Sequence, residues 1–268
     1  MAYLTFEYKS FALMRGVTIR AYLPDAAVAG IDRTPLKTVY FLPGFSADST
    51  EIATYLRLRR QVELKNIAVF LVDGDNQFYV DHPERYMSYS TFAGKEVVEV
   101  TRRMFPLSEK REDTYIAGIS MGGYGALYNG LKYKETFSKI AAFSPAVDFY
   151  QIMEVHPDAG FVPEQLKNFF GTKEAYERSD RKLDNLYSAE NAENAPEIFL
   201  CCGEQDRLVY PQGKEFAELI TKRGYSCEYL GGKGDHDTDY WERVLDPAFS
   251  FLAGIPAGSR DDILMLFP

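Results

Sequence analysis

Six compact apolar runs along the chain constrain its fold more than any other feature. Amphipathic helical stretches separate these runs, which are TVYFL, IAVFLV, TYIAGI, KIAAFS, EIFLCC and CEYLGG. An apolar run without alternation is typical of a strand buried on both faces, as in a parallel sheet covered by helices. Two alternating segments, AYLTFEYKS and LMRGVTIRAYLP, come first and suit half-exposed antiparallel strands. The sequence therefore predicts an α/β fold with a mostly parallel sheet, antiparallel N-terminal strands and helices on both faces.

One segment departs from this rhythm. The 268 residues, of which 46% are hydrophobic, are enough for one large core, so we expect residues 1–268 to form a single domain. From about residue 148 to residue 196 the chain is long, polar and helical only in patches, which predicts a lid-like insertion over one end of the sheet. The aromatic residues of the insertion suit either an acyl pocket or its own core.

Composition excludes several classes of function. The chain has 30 basic and 39 acidic residues, and its net charge of -9 argues against nucleic acid as a partner. No apolar run approaches the roughly 18 residues of a membrane span, and the N-terminus has no signal-peptide pattern, so we predict a cytoplasmic protein without a membrane partner. The three cysteines are predicted to be reduced core thiols. The three scattered histidines, without Cys-x-x-Cys spacing, disfavour a metal site.

A glycine-rich turn carries the chemistry. Ser120 stands between the strand TYIAGI and the helix MGGYGALYNGL, with Gly118 and Gly122 two residues away on either side. Glycines at these positions remove side chains that would clash where a serine occupies a sharp strand-to-helix turn. The helix N-terminus adds N–H groups and a dipole that favour the negative charge of acyl transfer. Ser120 is therefore the predicted nucleophile, in a nucleophile elbow.

A serine nucleophile needs a base and an acid, which follow it in the order acid, then histidine in this type of fold. Only His236 comes after the last predicted strand. For His82 and His156 we expect ordinary positions on the surface or at a pocket rim. Asp206, just past the strand EIFLCC, is the predicted acid, and Glu204 is its nearest rival.

Backbone N–H groups are expected to stabilise the oxyanion. The loop PGFSAD follows the strand TVYFL, and a loop at that place aims one N–H at the reacting carbonyl oxygen. Phe45 is the expected donor there, and Ser46 is the alternative. The residue after the nucleophile, Met121, supplies the second N–H.

The stretch RRMFPLSEKREDTYIAGISMGGYGAL, with DNQFYVDHPERY upstream, resembles the esterase D family of α/β-hydrolases, specifically its bacterial tributyrin-esterase branch. The similarity runs from about Pro43 to FSKIAAFSP and extends weakly to the GEQD and GDHD loops. The resemblance implies the α/β-hydrolase fold and no metal or organic cofactor. Carried over by position, it implies Ser120 as nucleophile, Asp206 as acid, His236 as base, and Phe45 and Met121 as oxyanion donors.

Members of this family hydrolyse short acyl esters, and relatives include S-formylglutathione hydrolases, acetylxylan or feruloyl esterases and mycolyl transferases. We therefore expect a serine carboxylesterase that acts on acetyl to butyryl esters of small molecules through an acyl-enzyme. The alternatives are a feruloyl or acetylxylan esterase on plant-polysaccharide fragments, an S-formylglutathione hydrolase, and a catalytically silent binding domain.

Two departures from the family pattern bear on the site. Pro43 precedes Gly44 where such esterases usually have histidine, so the sequence does not show which residue supports the oxyanion loop. Tyr55 stands where the family tends to place tryptophan, so the sequence does not show what forms the wall of the acyl pocket. The apolar C-terminal segment DDILMLFP suits either a subunit contact in a homo-oligomer or packing on its own domain.

Overall fold

The computed structural model describes residues 1–25, 27–28, 31–156 and 163–259. Within them, one sheet contains eight strands: β1 Ala2–Ser10, β2 Arg15–Leu23, β3 Lys37–Leu42, β4 Ile67–Leu71, β5 Thr114–Ile119, β6 Lys139–Phe143, β7 Glu197–Gly203 and β8 Cys227–Gly232. Two short antiparallel ribbons pair Ala27–Val28 with Ile31–Asp32 and Asp81–His82 with Met87–Ser88.

The strand order is β1-β2-β4-β3-β5-β6-β7-β8. β1 pairs antiparallel with β2 and β2 with β4, whereas every later pairing in the sheet is parallel. The carboxyl ends of β3, β5, β7 and β8 therefore lie at one edge, where sites of α/β sheets form. The register that sets Leu42 opposite Gly118 brings the loop after β3 beside the turn after β5. This topology confirms the expected α/β-hydrolase fold.

Helices cover both faces of the sheet. They are α1 Ser49–Tyr55, α2 Leu58–Lys65, α3 Tyr89–Thr91, α4 Val97–Met104, α5 Met121–Lys132, α6 Phe149–Val155, α7 Pro163–Phe170, α8 Lys173–Tyr176, α9 Leu183–Leu186, α10 Gln212–Lys222 and α11 Thr238–Ala253. A π-helical turn, Phe92–Glu96, joins α3 to α4, and 3₁₀ turns lie at Pro83–Arg85, Arg111–Asp113 and Ala189–Asn191. The core on one face includes α5 and α10, and the core on the other includes α2 and α11.

The stretch STEIATYLRLRRQV forms two helices, α1 and α2, which are separated where Leu56 adopts an extended backbone and is buried. One local expectation was wrong. CEYLGG reads as a strand buried on both faces, yet β8 is half-exposed. β8 lies at the end of the strand order and pairs with β7 alone among the described strands, so its outer side lacks the cover that a central strand has.

The described part of the insertion shares a core with α5. Phe149 and Phe170 are buried with ring centroids 5.1 Å apart, and Tyr176 lies 5.4 Å from Phe170. Tyr124 of α5 contacts Phe149 at 5.0 Å. These aromatic side chains therefore form part of the large core that covers one face of the sheet, whereas one of the two expectations gave them a core of their own.

Other expectations fall on residues outside the described part. These residues are Phe161 and Val162 of the insertion and the segment 261–268, which the sequence offered as a subunit contact. Within the described ranges, no helix combines the length and the apolarity that crossing a bilayer requires.

Candidate active site

Ser120 stands at a strained turn between β5 and α5. Its backbone has φ 56° and ψ −115°, a conformation that residues other than glycine rarely adopt and that costs about 1–3 kcal/mol. The surrounding structure holds it there: the Ser120 N–H donates to the Phe143 carbonyl at 2.9 Å, and the Ser120 carbonyl accepts from Tyr124 N–H at 3.0 Å. The turn therefore presents the hydroxyl at the carboxyl edge of the sheet.

The two flanking glycines allow the close approach of backbone to backbone at this turn. A Cβ on Gly118 would lie 2.2 Å from the carbonyl oxygen of Gly122, and a Cβ on Gly122 would lie 2.0 Å from that of Leu42. Real Cβ atoms essentially never come within 3.0 Å of another heavy atom in this way. Any side chain at either position would push α5 away from the sheet.

The structure brings Ser120, His236 and Asp206 together. His236 Nε2 lies 3.0 Å from Ser120 Oγ, and His236 Nδ1 lies 2.7 Å from Asp206 Oδ2. The Asp206 side chain is fully buried, whereas the His236 side chain is 20% exposed. An imidazole that donates its Nδ1–H to the carboxylate keeps Nε2 free to accept the serine proton. This geometry suits the activation of a serine hydroxyl.

Backbone groups fix the carboxylate of Asp206. Its Oδ1 accepts the N–H groups of Leu208 and Val209, each at 3.1 Å, which leaves Oδ2 directed at the imidazole. Glu204, the rival acid in the sequence, is exposed. The loop of the acid and the loop of the histidine are also joined, because Gln205 Oε1 accepts from the N–H of Gly234 at 2.6 Å.

The other two histidines lie elsewhere. His82 is 7% exposed in a short ribbon, so of the two positions expected for it, the surface and a pocket rim, the surface is wrong. Its Nδ1 lies 3.6 Å from Glu84 Oε1, and burial lowers the pKa of His82 below its usual value. His156 is half-buried at the end of α6.

A tight turn follows β3 beside the nucleophile. Ala47 N–H donates to the Gly44 carbonyl at 3.3 Å, which closes the turn around Phe45 and Ser46. A Cβ on Gly44 would lie 3.4 Å from Cβ of Ser120, so this backbone passes within contact of the elbow. Asn76 Oδ1 accepts the Ser46 N–H at 2.7 Å. The alternative donor, Ser46, is therefore already engaged.

The two departures from the family pattern have different surroundings. The carbonyl of Pro43 accepts a hydrogen bond from the buried hydroxyl of Tyr79 at 3.1 Å, so a side chain supports the loop that lacks the usual histidine. Tyr55 is 59% exposed at the last residue of α1.

Trp241, beside the histidine, and Ser144, its hydrogen-bond partner, were missed in the sequence. The ring of Trp241 lies edge-on to the imidazole of His236, with centroids 5.2 Å apart, and its indole N–H donates to Ser144 Oγ at 3.2 Å. Ser144 is buried and has φ 42°. Trp241 is the only tryptophan of the chain and follows His236 by five residues, which is the signal that points to it.

Cys201 and Cys202 match the expectation of core thiols, whereas Cys227 does so only in part. Cys201 and Cys202 are buried, and Cys227 is half-buried. Burial raises the pKa of Cys201 and Cys202 well above the usual range for a thiol. Cys202 Sγ lies 3.8 Å from Asp206 Oδ2, so it forms part of the wall around the acid.

Comparison with known proteins agrees with this fold and site. The family model described as "Putative esterase" matches residues 10–252. An acetyl esterase from Caldicellulosiruptor saccharolyticus is 33% identical over 275 residues, which cover 95% of this chain and 99% of that protein.

Two solved structures from Staphylococcus aureus are similar over almost the whole chain. The fluorophosphonate-binding serine hydrolase F aligns with a TM-score of 0.81 and 25% identity, covering 94% of this chain and 98% of the other. An S-formylglutathione hydrolase aligns with a TM-score of 0.73 and 26% identity, covering 94% and 96%. Together with the family match, these similarities make the chain a hydrolase. The chain belongs to the esterase family and has the α/β-hydrolase fold.

Proposed function

We propose that this protein is a cytoplasmic serine carboxylesterase of the tributyrin branch of the esterase D family, which hydrolyses acetyl to butyryl esters of small molecules. The observation that carries the proposal is the hydrogen-bonded chain from Ser120 Oγ through His236 to the buried carboxylate of Asp206. The 33% identity with an acetyl esterase supports the short acyl group. Residues 148–196 are proposed to be an insertion that covers one end of the sheet like a lid.

The first step forms an acyl-enzyme. His236 Nε2 takes the proton of Ser120 as Oγ attacks the ester carbonyl carbon, and the carbonyl electrons move to oxygen. When the carbonyl re-forms, the bond to the alcohol oxygen breaks and His236 donates its proton to the leaving alcohol. The carboxylate of Asp206 stabilises the imidazolium.

The second step returns the enzyme to its starting state. Water enters, His236 removes a proton from it, and the resulting hydroxide attacks the acyl carbon. Collapse of the second tetrahedral intermediate breaks the bond to Ser120 Oγ, which regains its proton from His236, and the carboxylic acid leaves. The N–H groups of Phe45 and Met121 are the proposed donors to the oxyanion in both steps.

Packing beside the oxyanion turn supports a small acyl group. The ring of Phe45 lies 5.8 Å from that of Phe78, and Phe78 packs on Phe149 at 4.5 Å and on Phe170 at 5.2 Å. Phe78 and Phe149 have no exposed surface. Aromatic side chains thus fill the space behind the turn, and we propose that this packing excludes a long acyl chain.

One alternative has an observation in its favour. The similarity to an S-formylglutathione hydrolase, at 26% identity over nearly the whole chain, supports a thioester substrate. A thioester passes through the same acyl-enzyme at Ser120 with a thiol as leaving group, so only the substrate comparison separates the two functions.

The test measures hydrolysis of p-nitrophenyl acetate, butyrate and octanoate, methyl ferulate and S-formylglutathione by the purified protein. Two variants accompany it: Ser120→Ala, and Ser226→Ala as a control at an exposed serine before β8, at the opposite edge of the sheet. We expect activity to fall with acyl length, to vanish in the Ser120 variant and to persist in the control. Equal activity of Ser120→Ala and wild type refutes the proposal. Faster turnover of S-formylglutathione than of the p-nitrophenyl esters favours a thioester hydrolase instead.

A further inference from the structure

The loop after β4, residues 73–79, folds against the turn that carries the proposed oxyanion donor. Asn76 Oδ1 accepts the N–H of Ser46 at 2.7 Å, and the hydroxyl of Tyr79 donates to the carbonyl of Pro43 at 3.1 Å. Tyr79 thus holds the backbone before Phe45, and Asn76 holds the backbone after it.

This loop adopts a costly backbone in order to make these contacts. Asn76 has φ 60°, and Phe78 and Tyr79 both have φ 54°. A positive φ is tolerated by asparagine but is strained for large aromatic residues. Such strain persists only where the surrounding structure determines the conformation, so the contacts of this loop are a specific feature of the fold.

The fold also makes room for Tyr79. A Cβ on Gly74 would lie 2.4 Å from Cζ of the Tyr79 ring, and a Cβ on Gly125 would lie 2.5 Å from its Cδ2. The hydroxyl also lies 3.2 Å from the Val72 carbonyl, in reach of a shared hydrogen bond. Burial raises the pKa of Tyr79 well above its usual value, so the hydroxyl remains a donor at every working pH.

We propose that Asn76 and Tyr79 are positioning residues that hold the turn so that the N–H of Phe45 points at the reacting carbonyl oxygen. This inference rests on the proposed acyl transfer at Ser120. With Ser46 N–H bound to Asn76, and the Pro43 carbonyl bound to Tyr79, the peptide between Gly44 and Phe45 cannot rotate away. Met121, by contrast, lies in the first turn of α5 and needs no such support.

Loosening of the turn is expected to affect kcat and not KM, because the turn acts on the oxyanion. The charge develops only in the transition state, so a loosened turn lowers kcat and leaves KM nearly unchanged. Loss of an oxyanion donor costs about 10²–10³ in kcat. Since Asn76 acts through the turn and not on the substrate, we expect its loss to lower kcat by about tenfold, less than the loss of a donor itself.

The experiment compares Asn76→Ala, Asn76→Asp and Tyr79→Phe with wild type on p-nitrophenyl acetate. Asn76→Ala should lose about tenfold in kcat with KM changed by less than about twofold. Asn76→Asp should restore most of kcat, because a carboxylate oxygen also accepts the N–H of Ser46. Tyr79→Phe keeps the ring and should lower kcat, with its folded state checked by thermal melting.

Three results would overturn the inference: wild-type kcat in Asn76→Ala, equal impairment of Asn76→Asp and Asn76→Ala, or wild-type kcat in Tyr79→Phe. Ser120→Ala separates this failure from failure of the proposed function. If Ser120→Ala is inert and Asn76→Ala is fully active, the positioning role alone is wrong. If Ser120→Ala is active, the acyl transfer itself is wrong.

Discussion

Replacement of Asp206 by asparagine should remove almost all activity while leaving the fold intact. In the protein, Oδ1 of Asp206 accepts the N–H groups of Leu208 and Val209, and Oδ2 faces His236 Nδ1 at 2.7 Å. The single oxygen of an asparagine must keep the two backbone bonds, because the opposite orientation sets an NH₂ group against two N–H donors, at about 1–3 kcal/mol for each buried group left unsatisfied. The asparagine NH₂ therefore faces Nδ1.

This orientation forces the wrong tautomer on the imidazole. Nδ1 must then accept, so Nε2 carries the proton and cannot take one from the Ser120 hydroxyl. A comparable change in a Ser-His-Asp enzyme lowers kcat by about 10⁴, which corresponds to about 5.4 kcal/mol. Because the backbone hydrogen bonds of the loop survive, we expect the midpoint of thermal unfolding to change little.

The assay measures kcat and KM on p-nitrophenyl acetate together with the melting temperature. Glu204→Gln is the matched control, since Glu204 lies two residues away and is exposed, and it should retain wild-type activity. A decrease of less than about tenfold in kcat for Asp206→Asn, with a normal melting temperature, would show that Asp206 does not set the tautomer of His236.

Three further outcomes are expected. Gly122→Ala, whose Cβ would lie 2.0 Å from a β3 carbonyl oxygen, should lower the melting temperature by about 10 °C, whereas Gly16→Ala, with no atom within 4 Å, should not. Trp241→Ala removes the ring beside His236 and should lower kcat by about tenfold, with a smaller loss in Trp241→Phe. Burial raises the pKa of the two adjacent cysteines, so iodoacetamide at about pH 8 should leave activity unchanged and alkylate them, by mass spectrometry, only after unfolding.

The sequence predicts the sheet well because a strand that is buried on both faces is made almost entirely of apolar residues. The runs that became β3 to β7 are apolar at nearly every position, and each is buried along almost its whole length. The placement of Ser120, Asp206 and His236 follows from the same logic, since parallel strands deliver their following loops to one edge. Glycines around Ser120 add a local signal for the turn.

The parts that could not be predicted depend on contacts between distant segments. Asn76 and Tyr79 lie about thirty residues from the turn that they hold. Neither residue is a glycine, so the sequence does not indicate their positive φ values. The contact of Trp241 with Ser144 joins α11 to the end of β6. The exposure of β8 depends on which strand ends the sheet, which a single apolar run does not reveal.

The acyl-enzyme at Ser120 is tested by identifying the residue that carries the acyl group. Wild-type protein is mixed with excess p-nitrophenyl acetate, quenched with acid within the first turnover and digested, and the peptides are examined by mass spectrometry. The proposed mechanism predicts one acetyl group per chain on Ser120, which appears together with a burst of p-nitrophenol and is absent in Ser120→Ala. An acetyl group on another residue, or hydrolysis that persists in Ser120→Ala without any acyl-enzyme, would contradict it.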